Sequence, residues 1–535
     1  MRAILVLILL LLSSPAWAAT YYVRIDGHDT NCNGTADASA ASAPNCAWLT
    51  IGKAESTVSG SNTIIIGNGT YAEQLTIDIS GTDANNLLTF EAQNSRSAII
   101  DCTGFSGHGL NITGNYVKLD GFRFNNHTFE NASYGVVNIA GSYCTVTDCY
   151  VNGSKSVGIR AVGSNNTISD NYITDIPYGF DIHGADNLIE DNEVENLHQY
   201  TGDADYSRVF GSNHIMRGNL FHGTHTITDA HVDCVQSFDV NGEHLYDLLY
   251  EKNWCENASQ VFMLEAQKYD LSDGVIVRNN VFKNLGSWFI DSKGVDNVWA
   301  YNNTLIDGAA GFACRSGTAY ENEFEAVGCQ CYNNLFHTFT NVSLCWSSGE
   351  LSTMDRGYNL LYSSGVTHTG DATDLLNIEP TFVDFDGSDY RLALGSRGIN
   401  EGTAIDGWSS PADYNDVSRP QGAAWDIGAY EYASGDETDP EVIITTPTSS
   451  TTYSTSYATF RLGGTASDAT GVTSVAYSVD TGDSGSCTGT TAWVCSGIAL
   501  VRGANVVTVT ASDAASNEGT DSITVTYVLK RTLFR

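Results

Sequence analysis

Between residues 130 and 220 the chain alternates apolar and polar positions over short stretches, and one plan recurs: a strand-like segment, a Gly, a polar turn, a second strand-like segment, then Asn. The copies read GVVNIAGSYCTVTDC, GIRAVGSNNTISDN, GFDIHGADNLIEDN and SRVFGSNHIMRGN, with Gly141, Gly163, Gly184 and Gly211 each eight positions before Cys149, Asn171, Asn192 and Asn219. Period-two patterning without a helical period predicts short strands, and repeats of roughly 20 to 30 residues predict a solenoid whose coils stack. Asn171, Asn192, Asn219, Asn253, Asn280, Asn303 and Asn334 fall at one recurrent turn. Asn tolerates left-handed backbone and its amide can bond to the Asn one coil away, so these residues are expected to form a ladder.

The same alternation turns the residue three before each Gly outward. That row reads Asn111, Asn138, Arg160, Asp181 and Arg208, extended to Gln236, Glu265 and Asp291, while the residue one before Gly adds His183, Phe210 and Lys293, with Phe238 and Gln267 by extension. Arg160, Arg208, Lys268 and Lys293 thus stand among Asp181, Glu265 and Asp291 on one exposed face, a groove suited to an extended acidic polymer. The alternative is cross-coil ion pairing that stabilises the sheet without a ligand. The densest cluster is His231, Asp233 and Gln236, followed a coil later by Glu265, Gln267 and Lys268 and then by Asp291 and Lys293.

Composition sharpens this. Asp and Glu number 62 against 25 Lys and Arg, a net charge of −37 with only 16% of residues charged, so cations are scarce and a general basic surface for nucleic acid is excluded. Residues 1–18, with an apolar run from Ala3 to Leu12 and Ala16-Trp17-Ala18 as cleavage site, read as a signal peptide; no later stretch would span a bilayer. The mature chain is expected to be secreted, with periplasm or cell surface as alternatives, and monomeric. Thirteen cysteines suit an oxidising compartment. Cys32 with Cys46 and Cys487 with Cys495 are expected pairs, the other nine are unassigned, and one thiol should be left over.

Three local signatures give a family resemblance. They are the entry segment from Tyr21-Tyr22-Val23 through Trp48-Leu49-Thr50-Ile51-Gly52-Lys53-Ala54 to Asn68-Gly69-Thr70-Tyr71, the Asn coils, and the exit segment from Asp389-Tyr390-Arg391-Leu392 to Asp426-Ile427-Gly428-Ala429-Tyr430-Glu431-Tyr432. Together they resemble the right-handed parallel β-helix proteins of the pectate-lyase-like superfamily. The resemblance implies a β-helix over residues 19–432, of about 12 or more coils, with an N-terminal capping helix near residues 49 to 58 whose Ile51, Ala54 and Val58 share one face. Residues 433–440 read as a linker, 441–528 resemble the Ig-like β-sandwich modules of bacterial secreted enzymes, and 529–535 form a tail.

Uronate-polymer lyases remove the proton beside the carboxylate and eliminate the glycosidic oxygen, which requires a cation on the carboxylate, a base and an acid. Lys268 or Lys293 would serve as base, and Arg208 or His231 would bind the carboxylate or protonate the leaving group. Arg160, Asp181, His183, Gln236 and Gln267 would contact substrate. Glu265 with Asp233 or Asp291 offers oxygen ligands for Ca²⁺. Calcium-dependent β-helix lyases of the alginate and dermatan type use an Asn, a Glu-x-Glu, a Lys soon after and an Arg about one coil on. Gln236, Glu265-Ala-Gln267, Lys268 and Lys293 resemble that set and depart from it at Gln236, Gln267 and Lys293. The sequence therefore points to a polysaccharide lyase acting on an acidic glycan. The alternatives are a non-catalytic glycan-binding or adhesion protein and a glycoside hydrolase using paired carboxylates.

Overall fold

The computed structural model describes residues 18–198, 203–224, 231–238, 244–265, 272–315, 317–318, 323–324, 326–348, 354–409, 411–433, 439–468, 471–513 and 517–528. Residues 1–17 of the expected signal peptide, Lys268 and Gln267 lie outside them. Contacts divide the chain into two units, Met1–Glu431 and Tyr432–Arg535.

In the first unit each coil lays a strand on each of three faces. The first face runs from Thr20–Val23 and Thr63–Ile66 to Met354–Gly357, every strand pairing in parallel with that of the next coil. The second runs from Gly69–Tyr71 through Tyr150–Ser154 and Glu193–Glu195 to Leu375–Leu376. The third runs from Leu75–Ile77 through Gly135–Ile139 and Asp203–Val209 to Cys345–Ser348. The second and third faces merge because the long strands Val281–Lys293 and Thr304–Arg315 pass through both. This is a parallel β-helix, and Phe180, Phe221, Phe262, Phe282 and Phe312 are buried in its interior.

The expected ladder forms. Asn171 Nδ2 donates to Asn192 Oδ1 at 2.9 Å, Asn219 to Asn253 at 2.9 Å and Asn303 to Asn334 at 2.9 Å, each amide also bonding backbone within the buried turn. The ladder starts where the Cys149 N–H donates to Asn171 Oδ1 and continues past Asn334 to Asn359. A second buried row, absent from the sequence reading, closes the other end of the first-face strands: the Asn166 N–H donates to Asn187 Oδ1 at 2.9 Å and the Asn187 N–H to His214 Nδ1 at 3.2 Å. Burial pushes His214 down to about 4, so it remains a neutral acceptor.

The constant Gly position reflects close stacking. A Cβ on Gly163 would meet the Gly141 carbonyl oxygen at 1.9 Å, and one on Gly211 would meet that of Gly184 at 2.0 Å, so no side chain fits this corner. At the entry, the helix Ile51–Glu55 is capped by Thr50, whose side chain accepts from the Lys53 N–H. Glu73 accepts from the Ile51 and Gly52 N–H groups, where an acidic side chain is favoured. Ile51, Ala54 and Val58 are buried in the core.

Five disulfides form: Cys32–Cys46, Cys234–Cys255, Cys314–Cys329, Cys331–Cys345 and Cys487–Cys495. Three thiols, Cys102, Cys144 and Cys149, stay free and buried, against the single one expected. Cys144 and Cys149 cap opposite ends of the strand Thr145–Thr147 and bond different carbonyls, so they cannot meet. Burial raises the Cys144 thiol to about 11 and those of Cys102 and Cys149 to about 12, which leaves them unreactive. No helix among the described residues is long and apolar enough to cross a membrane.

The second unit packs a three-stranded and a five-stranded sheet around Leu462, Trp493, Cys495, Val507 and Val525. Its described strands number eight, the short Ser484–Ser486 forming one edge of the larger sheet.

Candidate functional site

The third face carries the candidate residues. Its parallel register aligns Asn111, Asn138, Arg160, Asp181, Arg208 and Gln236 as the alternation predicts, and then Met263 and Asp291. Glu265 is displaced from its expected place: it pairs with Phe238 and Lys293, two positions further along the strand. The row is also less open than expected. Asn138, Asp181, Gln236 and Asp291 are buried, and Arg160 and Arg208 are half-buried.

Up to Arg208 the polar groups satisfy one another. Asn138 Nδ2 donates to Asn111 Oδ1 at 2.7 Å, Arg160 Nε to Asp181 Oδ2 at 2.8 Å, and His183 Nε2 lies 3.0 Å from Asp181 Oδ1, its ring stacked on Phe210. Arg208 donates to Asp205 at 2.7 Å and Asp203 at 2.5 Å, with its guanidinium over the Tyr178 ring. Burial opposes the charge of Arg208, and Asp205, Tyr178 and Asp203 outweigh burial, leaving its pKa raised. A guanidinium tied on this many sides holds Asp205 in place rather than reaching a substrate.

Beyond Arg208 the pattern changes. Asp205, Asp233 and Gln260 are lateral neighbours on three successive strands, and Gln236 lies three residues along from Asp233. All four are buried. Asp205 Oδ1, both oxygens of Asp233, Gln236 Oε1 and Gln260 Oε1 have no hydrogen-bond partner among the described residues. Burial, followed by the opposing pull of Arg208 and the push of Asp203, leaves the Asp205 carboxyl at about 7; burial and then the charge of Asp205 push Asp233 well above the carboxylate range. Alternation hid Asp205 because Tyr206 and Ser207 both turn into the coil, Tyr206 stacking on Phe221 and Ser207 bonding the Cys234 carbonyl. Two inward residues in succession bring Asp205 to the side of Arg208.

The expected Asp233, Glu265 and Asp291 metal set does not assemble. Asp291 accepts two bonds from Arg315, at 2.6 and 2.5 Å, and Lys293 stands between it and Glu265, 3.5 Å from Asp291 and 3.9 Å from Glu265. Cations already occupy the place of the ion. Arg315, also missed, is the register partner of Lys293 one coil on, so the repeat itself would have found it. His231 is exposed at the head of the strand His231–Phe238.

Tyr206 is interior, and His222 sits on the second face. There its Nε2 lies 2.8 Å from Glu193 and 3.8 Å from Glu195, the one cluster of three His, Cys, Asp or Glu groups close enough to share a metal among the described residues.

No protein-family model and no curated protein matches the chain. Among solved structures, a PL6 family polysaccharide lyase from Pseudopedobacter saltans is 11% identical over 60% of this chain and 85% of its own, with a TM-score of 0.44. A PL6 family alginate lyase is 13% identical, covering 68% of this chain and 58% of its own, with a TM-score of 0.42. XylC, solved with xylose, is 12% identical over 77% and 98%, with a TM-score of 0.49. These likenesses are distant, and the fold stands on the strand pairing itself.

Proposed function

We propose that the protein is a secreted carbohydrate-active enzyme, a right-handed β-helix over residues 19–432 joined through 433–440 to an Ig-like module at 441–528, which cleaves an acidic polysaccharide by β-elimination on the third face. The observation that carries this reading is the contrast among the cations of that face. Arg160, Arg208 and Arg315 are held to carboxylates at 2.5–2.8 Å, whereas the ammonium of Lys293 is 3.5 and 3.9 Å from its two. A uronate unit can engage Lys293 without breaking a strong pair, and its side chain is 26% exposed. In the elimination Lys293, as its free amine, takes the proton beside the uronate carboxylate, the bond to the glycosidic oxygen breaks as the double bond forms, and exposed His231 on the same face gives a proton to the leaving oxygen.

Ca²⁺ fits a set other than Asp233, Glu265 and Asp291. Asp205 Oδ1, both oxygens of Asp233, Gln236 Oε1 and Gln260 Oε1 are of the donor type Ca²⁺ takes and are unpartnered among the described residues. Once Asp205 and Asp233 are deprotonated, their carboxylates and that of Asp203 outnumber the facing cations Arg208 and Lys293, leaving negative charge for a divalent ion to balance. Bound there, Ca²⁺ would supply positive charge beside the groove, which favours the enolate of the elimination.

The test is incubation of the full chain with alginate, pectate and chondroitin, with and without Ca²⁺. Ultraviolet absorbance from unsaturated uronides is the expected result. Reducing ends without absorbance would instead indicate a hydrolase working through the Asp205 and Asp233 pair, and retention without cleavage a binding protein.

A further inference from the structure

A cleft of about 400 Å³ opens on the first face, away from the residues described above, lined by Trp299, Tyr301, Tyr332, Tyr358, Asp355 and Asp406 among others. Its walls come from the repeat. Trp299, Gln330 and Asp355 are register partners on three successive strands, and Tyr301 pairs with Tyr332 in the neighbouring column, whose next partner, Gly357, precedes Tyr358. Coils about 4.8 Å apart therefore present successive aromatic rings at the spacing of stacked strands.

The cleft is built rather than incidental. The Trp299 indole N–H donates to the Gly328 carbonyl at 2.9 Å, which fixes the ring, and the Tyr301 hydroxyl bonds Gln330. The facing segment is pinned at Thr403, whose N–H donates to Asn333 Oδ1 at 2.9 Å and whose carbonyl accepts from Asn333 Nδ2 at 2.7 Å. The volume lies within the range of small-ligand sites, roughly 300 to 1,000 Å³.

Its chemistry differs from that of the third face. Among the described residues no Lys, Arg or His lines it, and Arg356, adjacent to Asp355 in sequence, is turned to the Cys345 carbonyl. Aromatic faces take the apolar C–H face of a pyranose ring, and carboxylates accept bonds from its hydroxyls. Asp355 and Asp406 would repel a uronate. We infer that this cleft binds a neutral pyranose unit, a second carbohydrate site distinct from the acidic-glycan groove.

The inference does not depend on cleavage, and its test reads binding alone. Calorimetric titration of the full chain with cellobiose, mannobiose and xylobiose, and with digalacturonate as the acidic control, should show at least one neutral disaccharide binding near one per chain. Trp299→Ala should weaken that binding about tenfold or more, and Asp406→Asn, an isosteric change at an exposed position, should weaken it severalfold. Lys293→Ala should leave it unchanged. Binding by none of the neutral sugars, binding unaffected by both cleft variants, or binding lost in Lys293→Ala would overturn the assignment.

Discussion

Two buried polar regions of the β-helix differ in one respect. Along the Asn ladder every amide is bonded to its neighbour or to backbone, as when Asn253 takes bonds from Asn219 and gives them to Met216 and Asn280. In the Asp205, Asp233, Gln236 and Gln260 cluster, Asp205 Oδ1, both Asp233 oxygens and the two Gln oxygens face no donor among the described residues. A satisfied buried network specifies and rigidifies a fold, whereas a buried acceptor without a donor is a cost that a structure keeps for some other reason. The ladder is architecture, and the cluster keeps its acceptors unmet.

The largest effect should come from breaking the satisfied region. Asn253→Ala strips acceptors from Asn219 and a donor from the Met216 carbonyl, and should cost about 3 kcal/mol in denaturant unfolding. Gln260→Met, which removes an unpartnered oxygen of similar burial, should leave stability in chelator unchanged or raise it. Equal losses in the two variants would erase the distinction.

How much of this contrast the sequence shows follows from periodicity. The Gly corner and the ladder are legible because each recurs in register, and each has one physical cause: a backbone approach that admits no Cβ, and an amide that reaches the next coil. The second row is obscured where His214 replaces Asn. On the third face, strict alternation placed Arg160, Asp181 and Arg208 correctly but missed Asp205 and Gln260, since the doubled inward pair at Tyr206 and Ser207 shifts the parity. Glu265 was misplaced because Met263, an apolar residue, occupies the outward position of its coil. Sequence shows which residues lie on a face and leaves their pairing as an alternative: Arg160 pairs with Asp181 as cross-coil ion pairing expects, whereas Arg208 turns to Asp203 and Asp205, and Asp291 to Arg315, residues that the alternation does not bring into the row.

An intermediate effect concerns pH. Asp205 and Asp233 are raised above their unfolded values, so between about pH 4 and pH 7 the folded chain binds more protons than the unfolded one, and stability must fall as pH rises through that window. The groups that face them are Asp203, Arg208 and Lys293. In chelator the melting temperature should drop by on the order of a few degrees from pH 5 to pH 8, and Asp233→Asn should flatten the slope. A rise in stability over that range would contradict the burial of the pair.

The smallest effect lies outside both regions. Arg217 pairs with Glu190 on the solvent side of the first face, and Arg217→Ala should cost about 0.5 kcal/mol or less and vanish at high salt.

The central claim is that the loosely held cation of the third face performs the chemistry while its tightly paired arginines support the sheet. Initial rates of unsaturated-uronide formation, measured side by side for the unaltered chain, Lys293→Ala and Arg160→Ala on the best acidic polymer, test it most directly. The account predicts a loss of about a hundredfold or more for Lys293→Ala with an unchanged melting curve, and less than about tenfold for Arg160→Ala. Full activity in Lys293→Ala would contradict it.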